Sequence, residues 1–341
     1  MRHLLALREL SPQEITDLLD LAELSAVAGR GEQLSGTTLA TLFYEPSTRT
    51  EISFELAARK LGAGVVRCDV DRSSVQKGES LVDTVRTLAG LGADAIAIRH
   101  PSAGAAHLAA AHVRCAVINA GDGMHEHPTQ GLLDLLTVRR AKGRIAGLRI
   151  AVVGDVRHSR VARSAAWGFS KLGGSVVAVG PATLLPTPGD GLPLHLTTSL
   201  RVGLEGADVV MVLRMQRERQ AGGDVPTLAE YTRGWGVNSQ VLRAARPDAI
   251  LMHPGPANLG IELTADAAYG PQSRIAAQVA AGVDVRMAVL AWALGRERLL
   301  RPSLARRRDR RKTFVANGLL EFDQSRTQTP LAEPASTIRN D

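Results

Sequence analysis

The sequence predicts an α/β protein with two doubly wound parallel-sheet domains, joined by an interdomain hinge and followed by a helix that packs back on the first domain. From residue 38 onwards, short apolar runs typical of buried strands alternate with stretches of helical spacing, in two consecutive series. Residues 142–147, which contain two glycines and two basic residues, separate the series. One helix follows the last predicted strand, and 341 residues are enough for two domains.

A helix over residues 11–29 precedes the first series. Ser11 is a suitable N-cap, Pro12 fits the first turn, and Glu14 completes a capping box with Ser11. Gly29 is expected to end this helix, because glycine accepts the left-handed conformation that closes many helices.

The first series predicts a domain over residues 1–142. Its strands are predicted at residues 38–43, 65–70, 95–99 and 116–119. Its helices are predicted to begin near Ser47, Ser80, Ala103 and Pro128.

The second series predicts a domain over residues 143–272. Its strands are predicted at residues 148–153, 175–179, 208–213 and 249–252, with helices at residues 159–172, 199–204 and 238–245. The last helix, residues 273–294 within a segment of about 273–300, is expected to return to the first domain and pair with helix 11–29.

Composition is that of a soluble globular protein, with 45% hydrophobic and 22% charged residues. No apolar run is expected to cross a membrane, and the apolar stretch at the N-terminus is too short for a signal peptide. The two cysteines, Cys68 and Cys115, lie in or beside strand-like runs and are interpreted as reduced core residues. These features predict a cytoplasmic protein.

The basic residues are concentrated near the end of the chain. Residues 301–341 hold nine Lys and Arg against five Asp and Glu, which accounts for four of the seven net positive charges. Residues 306–312 could contact nucleic acid, but no aromatic residues interleave with them. A solvated, mobile basic tail is therefore predicted, and no nucleic acid is expected as a partner.

The segment from Glu45 to Thr50 is the clearest candidate for a binding site. It links a predicted buried strand to a helix that begins near Ser47. The positive end of the helix dipole, free backbone N–H groups, three hydroxyl side chains and Arg49 all meet there. This combination predicts a phosphate site.

Other polar residues also follow predicted strands, at residues 99–101, 122–130, 155–160, 214–216 and 253–256. In open parallel sheets ligands bind at the carboxyl ends of the strands, so these residues are expected to meet. They include Arg99, Arg160 and Arg214, which favour a ligand with several negative charges. Each could instead be a surface or ion-pairing residue, and His127 could simply cap a helix.

Several other chemistries fit the sequence poorly. No Cys/His cluster has zinc spacing, and His125 and His127 alternate in a way that does not make a tetrahedral metal site. The segment Val152–Asp155 lacks the glycines of a dinucleotide loop, and no Walker motif or nucleophile elbow is present. Neither a metal nor a cofactor is therefore expected.

Taken together, the motifs resemble the catalytic chains of the aspartate carbamoyltransferase family, over about residues 1–300. The matching segments are Phe43–Thr50, Ser73–Glu79, Ile98–Pro101, Asn119–Gly123 with His127–Gln130, Leu213–Arg219 and Met252–Pro256. The resemblance implies a transferase that converts carbamoyl phosphate and L-aspartate into N-carbamoyl-L-aspartate and phosphate, in pyrimidine biosynthesis. It implies a carbamoyl-phosphate domain first, an aspartate domain second, and a homotrimer with shared active sites. Regulatory chains or a dihydroorotase are possible partners.

The resemblance also implies a role for each matching residue. Those implied for the phosphate are Ser47, Thr48, Arg49 and Thr50. Those implied for the carbamoyl group are Arg99, His127 and Thr50 at its oxygen, and Gln130, Pro254 and Gly255 at its nitrogen. Those implied for aspartate are Arg160, Arg214 and Gln216, while Ser74 and Lys77 would come from the neighbouring subunit.

Two alternatives stay open at the level of the sequence. One is a carbamoyltransferase for another amine such as ornithine, although Arg214 and Gln216 suit aspartate better. The other is a non-catalytic scaffold that binds ligand or partner enzymes. The chain also departs from the family at Glu51 and Leu259, where basic residues are usual, and Leu259 is expected to weaken aspartate binding.

Overall fold

The computed structural model describes residues 1–28, 31–215 and 226–300. It confirms the α/β class, with two fully parallel sheets and flanking helices. The expected end of the first helix at Gly29, the role of Gln216 and the mobile tail 301–341 concern positions outside the described residues.

The first sheet has the strand order β2-β1-β3-β4. Its strands are β1 (Thr38–Phe43), β2 (Gly64–Cys68), β3 (Ala95–His100) and β4 (Ala116–Asp122). Its helices are α1 (Pro12–Ala28), α2 (Thr48–Lys60), α3 (Leu81–Gly90), α4 (Ala105–Ala110) and α5 (Pro128–Lys142). The predicted strand 65–70 ends at Cys68, because the chain then enters a 3-10 turn, Val70–Arg72.

The second sheet has the order β7-β6-β5-β8-β9. Its strands are β5 (Arg149–Val153), β6 (Ser175–Val179), β7 (His195–Thr197), β8 (Val209–Val212) and β9 (Ile250–Met252). Its helices are α6 (Arg160–Lys171), α7 (Leu200–Leu204), α8 (Leu228–Trp235), α9 (Ser239–Leu242) and α10 (Ala265–Ala268).

Three of these elements were not predicted: β7, α8 and the single-turn helix α10. Strand β7 is a three-residue edge strand that is mostly exposed, so it carries no apolar signature and depends on pairing with β6. Helix α8 does have a local signal, a capping box between Thr227 and Glu230. The predicted helix 238–245 shortens to the single turn α9.

The last helix, α11 (Ile275–Ala293), returns to the first domain as predicted and packs against α1, α2 and α5. By length and composition alone it could span a membrane, which corrects the expectation that no apolar run is long enough. Most of its apolar window is buried inside the protein, and its buried face includes Gln278 and Arg286. It is therefore the central helix of the first core rather than a surface element.

Both cysteines are free. Cys115 is buried just before β4, and Cys68 is half-buried at the end of β2. Burial raises the pKa of both thiols, which disfavours the reactive thiolate.

Candidate active site

The strand orders explain how four predicted arginines come to lie at the same edges. The order reverses between β1 and β3 in the first sheet and between β5 and β8 in the second. Arg49 follows β1 and Arg99 lies in β3, while Arg160 follows β5 and Arg214 follows β8. Each reversal opens a crevice at the carboxyl ends of the strands, so each sheet supplies two arginines to a ligand crevice.

The predicted phosphate segment has the geometry of an anion site. Ser47 occupies the N-cap position of α2, but its side chain makes no capping hydrogen bond, unlike Ser80 before α3 and Ser159 before α6. Further along α2, the hydroxyl of Ser53 donates to the carbonyl oxygen of Arg49 at 2.6 Å, a contact that uses no first-turn amide. The Ser47 hydroxyl and the first-turn amides are therefore available to a phosphate.

The structure accounts for the acid that follows this segment. Glu51 lies 2.9 Å from Arg67 of β2, and Arg67 also pairs with Glu55 one turn further along α2. Glu51 is thus neutralised by a partner from the neighbouring strand. This ion pair gives Glu51 a structural role between α2 and β2.

The loop after β9 reaches the Arg49 guanidinium. Gly255 in this loop has a φ of +68°, and a Cβ placed on it would lie 2.8 Å from Cζ of Arg49. Its N–H donates to Nδ1 of His253 at 2.8 Å. The loop is also held by Glu262, whose Oε1 accepts from the N–H of Asn258 at 2.5 Å. Arg49 and the loop residue Gly255, both predicted site residues, are therefore in contact across the two sheets.

Replacing Gly255 by alanine is expected to raise the KM for the phosphate-bearing substrate by about 10- to 100-fold, because the new Cβ displaces the Arg49 guanidinium. Steady-state kinetics at a saturating concentration of the second substrate measure this value. Gly260→Ala is the matched control, since Gly260 also has a positive φ of +86° but no neighbour within 4 Å of a Cβ. Equal KM values for the two variants would contradict the steric argument.

Glu45 joins one arginine from each crevice. Its Oε2 lies 2.6 Å from NH2 of Arg160 and 3.4 Å from Nε of Arg99. Gly121 leaves room for this arrangement, because a Cβ there would lie 2.9 Å from Nε of Arg160. The acid offsets the repulsion between two guanidinium groups and so keeps both in the site. The sequence motif contained Glu45 but did not indicate this bridging role.

His127 is buried beside these arginines, with 3% of its surface exposed. Its backbone N–H donates to the hydroxyl of Ser164 on α6, which donates to Glu126. Burial, and then the positive charges of Arg99 and Arg160, hold the pKa of His127 well below its usual value. The imidazole is therefore neutral near pH 7 and can donate one N–H.

Behind His127 lies a buried polar network that the sequence analysis missed. Oδ1 of Asp134 accepts from Nε2 of Gln130 at 3.0 Å and from Nε2 of Gln278 at 2.8 Å. Oε1 of Gln278 accepts from the backbone N–H of His253 at 2.9 Å. Arg286 also lies in this region, and its guanidinium is 5.0 Å from the ring centre of Phe54. Helix α11 thus contacts both Asp134, which holds the site residue Gln130, and the loop after β9.

Burial raises the pKa of Asp134 to about 7, despite hydrogen bonds from two amide groups. Because this folded-state pKa lies above the ordinary 3.8, the folded protein keeps a proton that the unfolded chain releases. Stability therefore falls as pH rises from about 4 through 7.

The variant Asp134→Asn tests this assignment. Between pH 5 and pH 8, its free energy of unfolding in urea is expected to fall by about 2–3 kcal/mol less than that of the wild type. Asp71→Asn, at an exposed position, should keep the wild-type dependence; equal behaviour of both variants would refute the assignment.

The structure places the remaining predicted residues as follows. Arg214 is half-buried at the carboxyl end of β8, and Pro254 is half-buried beside Gly255. Ser74 and Lys77 are exposed on a 3-10 turn, Ser74–Lys77, and no described contact joins them to the arginines of the same chain. Thr48 is exposed and Thr50 is buried in the first turn of α2.

One cluster has the composition of a metal site. His107, Asp122 and His125 offer ligand atoms within 4.8 Å of one another. However, both carboxylate oxygens of Asp122 already accept hydrogen bonds, from Gly104 N–H at 2.7 Å, Asn119 Nδ2 at 2.7 Å and His125 Nδ1. These hydrogen bonds give the cluster a structural role, because they hold Asp122 at the carboxyl end of β4.

Two family models match the chain. The carbamoyl-phosphate-binding domain of aspartate/ornithine carbamoyltransferases matches residues 2–140, and the aspartate/ornithine-binding domain matches residues 146–293. Two similar proteins are named aspartate carbamoyltransferase catalytic subunit. That of Beijerinckia indica is 54% identical over 294 residues, covering 85% of this chain and 93% of its own length. That of Sorangium cellulosum is 53% identical over 301 residues, covering 87% and 94%.

Solved structures agree on the fold. Aspartate transcarbamoylase from Trypanosoma cruzi in complex with N-(phosphonacetyl)-L-aspartic acid has a TM-score of 0.78 at 30% identity, covering 86% of this chain and 95% of that chain. Ornithine carbamoyltransferase from Thermus thermophilus has a TM-score of 0.77 at 31% identity, covering 86% and 98%. These structural scores do not separate the two substrates, whereas the proteins of Beijerinckia indica and Sorangium cellulosum are both named for aspartate.

Proposed function

Since this chain belongs to the aspartate/ornithine carbamoyltransferase family, we propose that it transfers the carbamoyl group of carbamoyl phosphate to the amine of L-aspartate. The products are N-carbamoyl-L-aspartate and phosphate, as a step of pyrimidine biosynthesis. The reaction takes place where the carboxyl ends of both sheets meet.

One observation carries this proposal. Arg99 from the first sheet and Arg160 from the second share the carboxylate of Glu45, next to the neutral, buried His127. Two separate anions require cations from two directions, and a reacting carbonyl requires an uncharged or cationic hydrogen-bond donor between them. This arrangement supplies both.

The phosphate of carbamoyl phosphate would bind at the start of α2, where Ser47, Thr48 and Thr50 offer hydroxyls and Arg49 offers a guanidinium. The helix dipole and the first-turn amides favour the same anion. Arg99 would bridge the phosphate and the carbonyl oxygen.

The amine of aspartate attacks the carbamoyl carbon directly, so no enzyme nucleophile is required. A C–N bond forms, and the carbonyl oxygen takes the negative charge of a tetrahedral intermediate. Arg99, Thr50 and His127 would stabilise that oxygen with hydrogen bonds that are already in place before the reaction. The C–O bond to phosphate then breaks, and the leaving phosphate accepts the proton that the amine loses.

Aspartate would be held by Arg160 and Arg214, with Gln216 proposed as a third contact outside the described residues. Two fixed guanidinium groups match the two carboxylates of aspartate and orient its amine. Ornithine has only one carboxylate and a second cationic group, which these arginines would repel.

Parallel assays with aspartate and ornithine test the proposal. We expect N-carbamoyl-L-aspartate and phosphate in equal amounts with aspartate, and no carbamoylated product above background with ornithine. Citrulline as the main product would reverse the substrate assignment. Tight binding of N-(phosphonacetyl)-L-aspartate without turnover of either amine would favour a non-catalytic scaffold.

We also propose a cytoplasmic homotrimer with shared sites. Exposed Ser74 and Lys77 make no described contact with the site arginines of their own chain, Arg49, Arg99, Arg160 and Arg214. The edge strand β2 and helix α2 carry exposed apolar side chains, Ile52, Leu56 and Val66. Such a patch is typical of a subunit interface.

Mixing Lys77→Ala chains with Arg49→Ala chains tests the shared sites. The mixture should regain part of the activity, because some mixed sites contain both native residues. No gain in activity would argue for sites within one chain.

A further inference from the structure

We propose that Gln278 of α11 is a positioning residue that, together with Asp134, sets the site to recognise the N–H groups of the carbamoyl substrate. This inference rests on the proposed function, because it concerns the groups that would face the carbamoyl nitrogen. It assigns specificity to two buried residues that touch neither substrate.

The first step is the position of Gln278 between the two halves of the site. Its side chain is 2% exposed, and both ends of its amide are used. Nε2 donates to Asp134 of α5, and Oε1 accepts from the N–H of His253 in the loop after β9. One side chain therefore fixes the distance between α5 and this loop.

The second step is the orientation of Gln130. Its Nε2 donates to the same oxygen of Asp134 at 3.0 Å, and the residue is 8% exposed. With one N–H of its Nε2 held by Asp134, the amide group of Gln130 is oriented with its nitrogen toward Asp134, and its oxygen is an acceptor that this contact does not use. Asp134 thus selects the acceptor end of Gln130 for the substrate.

The third step is the loop itself. The backbone N–H of His253 is held by Gln278, and the N–H of Gly255 donates to Nδ1 of His253 at 2.8 Å. Both backbone donors are satisfied within the protein, so the backbone groups of Pro254 and Gly255 that remain for a ligand are carbonyl oxygens. Three acceptors, from Gln130 and these two residues, then form one acceptor set.

An acceptor set suits a carbamoyl group, whose nitrogen carries two N–H donors. An acetyl group of the same shape has a methyl in that place and would leave buried acceptors without partners. Sites that hydrogen-bond a substrate group reject the analogue that lacks it far more strongly than apolar sites reject a missing methyl. The phosphate end is common to both molecules and would bind equally.

The test uses the full chain in its native assembly. It compares carbamoyl phosphate as substrate with acetyl phosphate as competitive inhibitor. In Gln278→Leu, kcat/KM for carbamoyl phosphate is expected to fall by about 10- to 100-fold, as for loss of buried polar contacts. The Ki of acetyl phosphate should change by less than about threefold, since its phosphate contacts remain. An equal fold-loss in kcat/KM for carbamoyl phosphate and in affinity for acetyl phosphate, or no loss in either, would overturn the proposal.

Two controls separate positioning from general damage. Gln272→Leu removes a glutamine hydrogen bond to the carbonyl oxygen of Ala249, away from Gln130. It should leave unchanged the ratio between kcat/KM for carbamoyl phosphate and the affinity for acetyl phosphate. Asp134→Asn keeps an acceptor oxygen for both glutamines, whereas Asp134→Leu, of similar size, does not. We expect the asparagine variant to keep the discrimination and the leucine variant to lose it. Identical ratios in these two variants would contradict the role of Asp134, even if Gln278→Leu did not fold.

Failure of this inference is distinguishable from failure of the proposed function. If the wild-type protein forms N-carbamoyl-L-aspartate but the ratios do not move in the variants, only the inference is wrong. If the wild-type protein does not turn over carbamoyl phosphate at all, the proposed function is wrong.

Discussion

Replacing Arg49 by alanine is expected to lower kcat/KM for carbamoyl phosphate by about 10³-fold. Arg49 lies in the first turn of α2 and is the guanidinium closest to the loop residue Gly255. Its loss removes a charge-assisted contact to the phosphate and the group that aligns the leaving oxygen. The helix N-terminus and the three hydroxyls remain, so residual binding is expected to be weak rather than absent.

Initial-rate measurements of phosphate release, with each substrate varied in turn, give this value. Arg59→Ala is the matched control, because Arg59 lies on the same helix and makes an exposed ion pair with Glu55. Such surface pairs contribute little, so the control should retain wild-type kinetics and stability within about twofold. Undiminished carbamoyl aspartate formation by Arg49→Ala would disprove the assignment of the phosphate site.

Replacing His127 by alanine is expected to lower kcat by about 10²- to 10³-fold with a much smaller change in KM. His127 is buried among arginines and would donate to the carbonyl oxygen most strongly when that oxygen becomes negative. An interaction that strengthens in the transition state affects kcat more than ground-state binding. His112→Ala, at an exposed position on the same domain, serves as the control and should be neutral.

The pH dependence distinguishes a neutral donor from a titrating base. The pKa of His127 is held well below 6.5, so the imidazole gains its proton only in more acidic solution. Between pH 8 and pH 6.5 its charge does not change, and no transition in kcat at pH 6.5 should come from this residue. His127→Asn retains an N–H donor that cannot titrate. It should keep a profile of the same shape and more activity than the alanine variant; a transition near pH 6.5 in wild type that this variant lacks would contradict the neutral-donor role.

Much of the site could be predicted because its chemistry is local. The segment Glu45–Thr50 combines a strand end, a helix start and a phosphate-binding composition within six residues. A capping box such as Ser11 with Glu14 is also complete within one turn, and the structure contains it. Arg99, Arg160 and His127 could be proposed because each follows or ends a recognisable strand.

The contacts that the sequence did not reveal join residues that lie far apart in the chain. Glu45 contacts Arg160 across 115 positions, and Gln278 contacts Asp134 across 144. Asp134 and Gln278 lie within helices whose apolar spacing gives no sign of a buried polar partner. The ion pair of Glu51 was not predictable either, because its partner Arg67 lies on β2, which comes to lie beside α2 only in the folded protein.

The sequence by itself determined which side chains are available and on which kind of element each lies, since periodicity, caps and turn residues depend on neighbouring positions. It therefore predicted a phosphate-binding helix start, arginines at strand ends and an α/β class. Tertiary structure alone decided the strand orders, and with them which two arginines flank each crevice. It also decided that Glu45 joins the two halves and that Gln130 and Gln278 share the carboxylate of Asp134, because hydrogen bonds between distant segments form only once the surrounding apolar surfaces have packed.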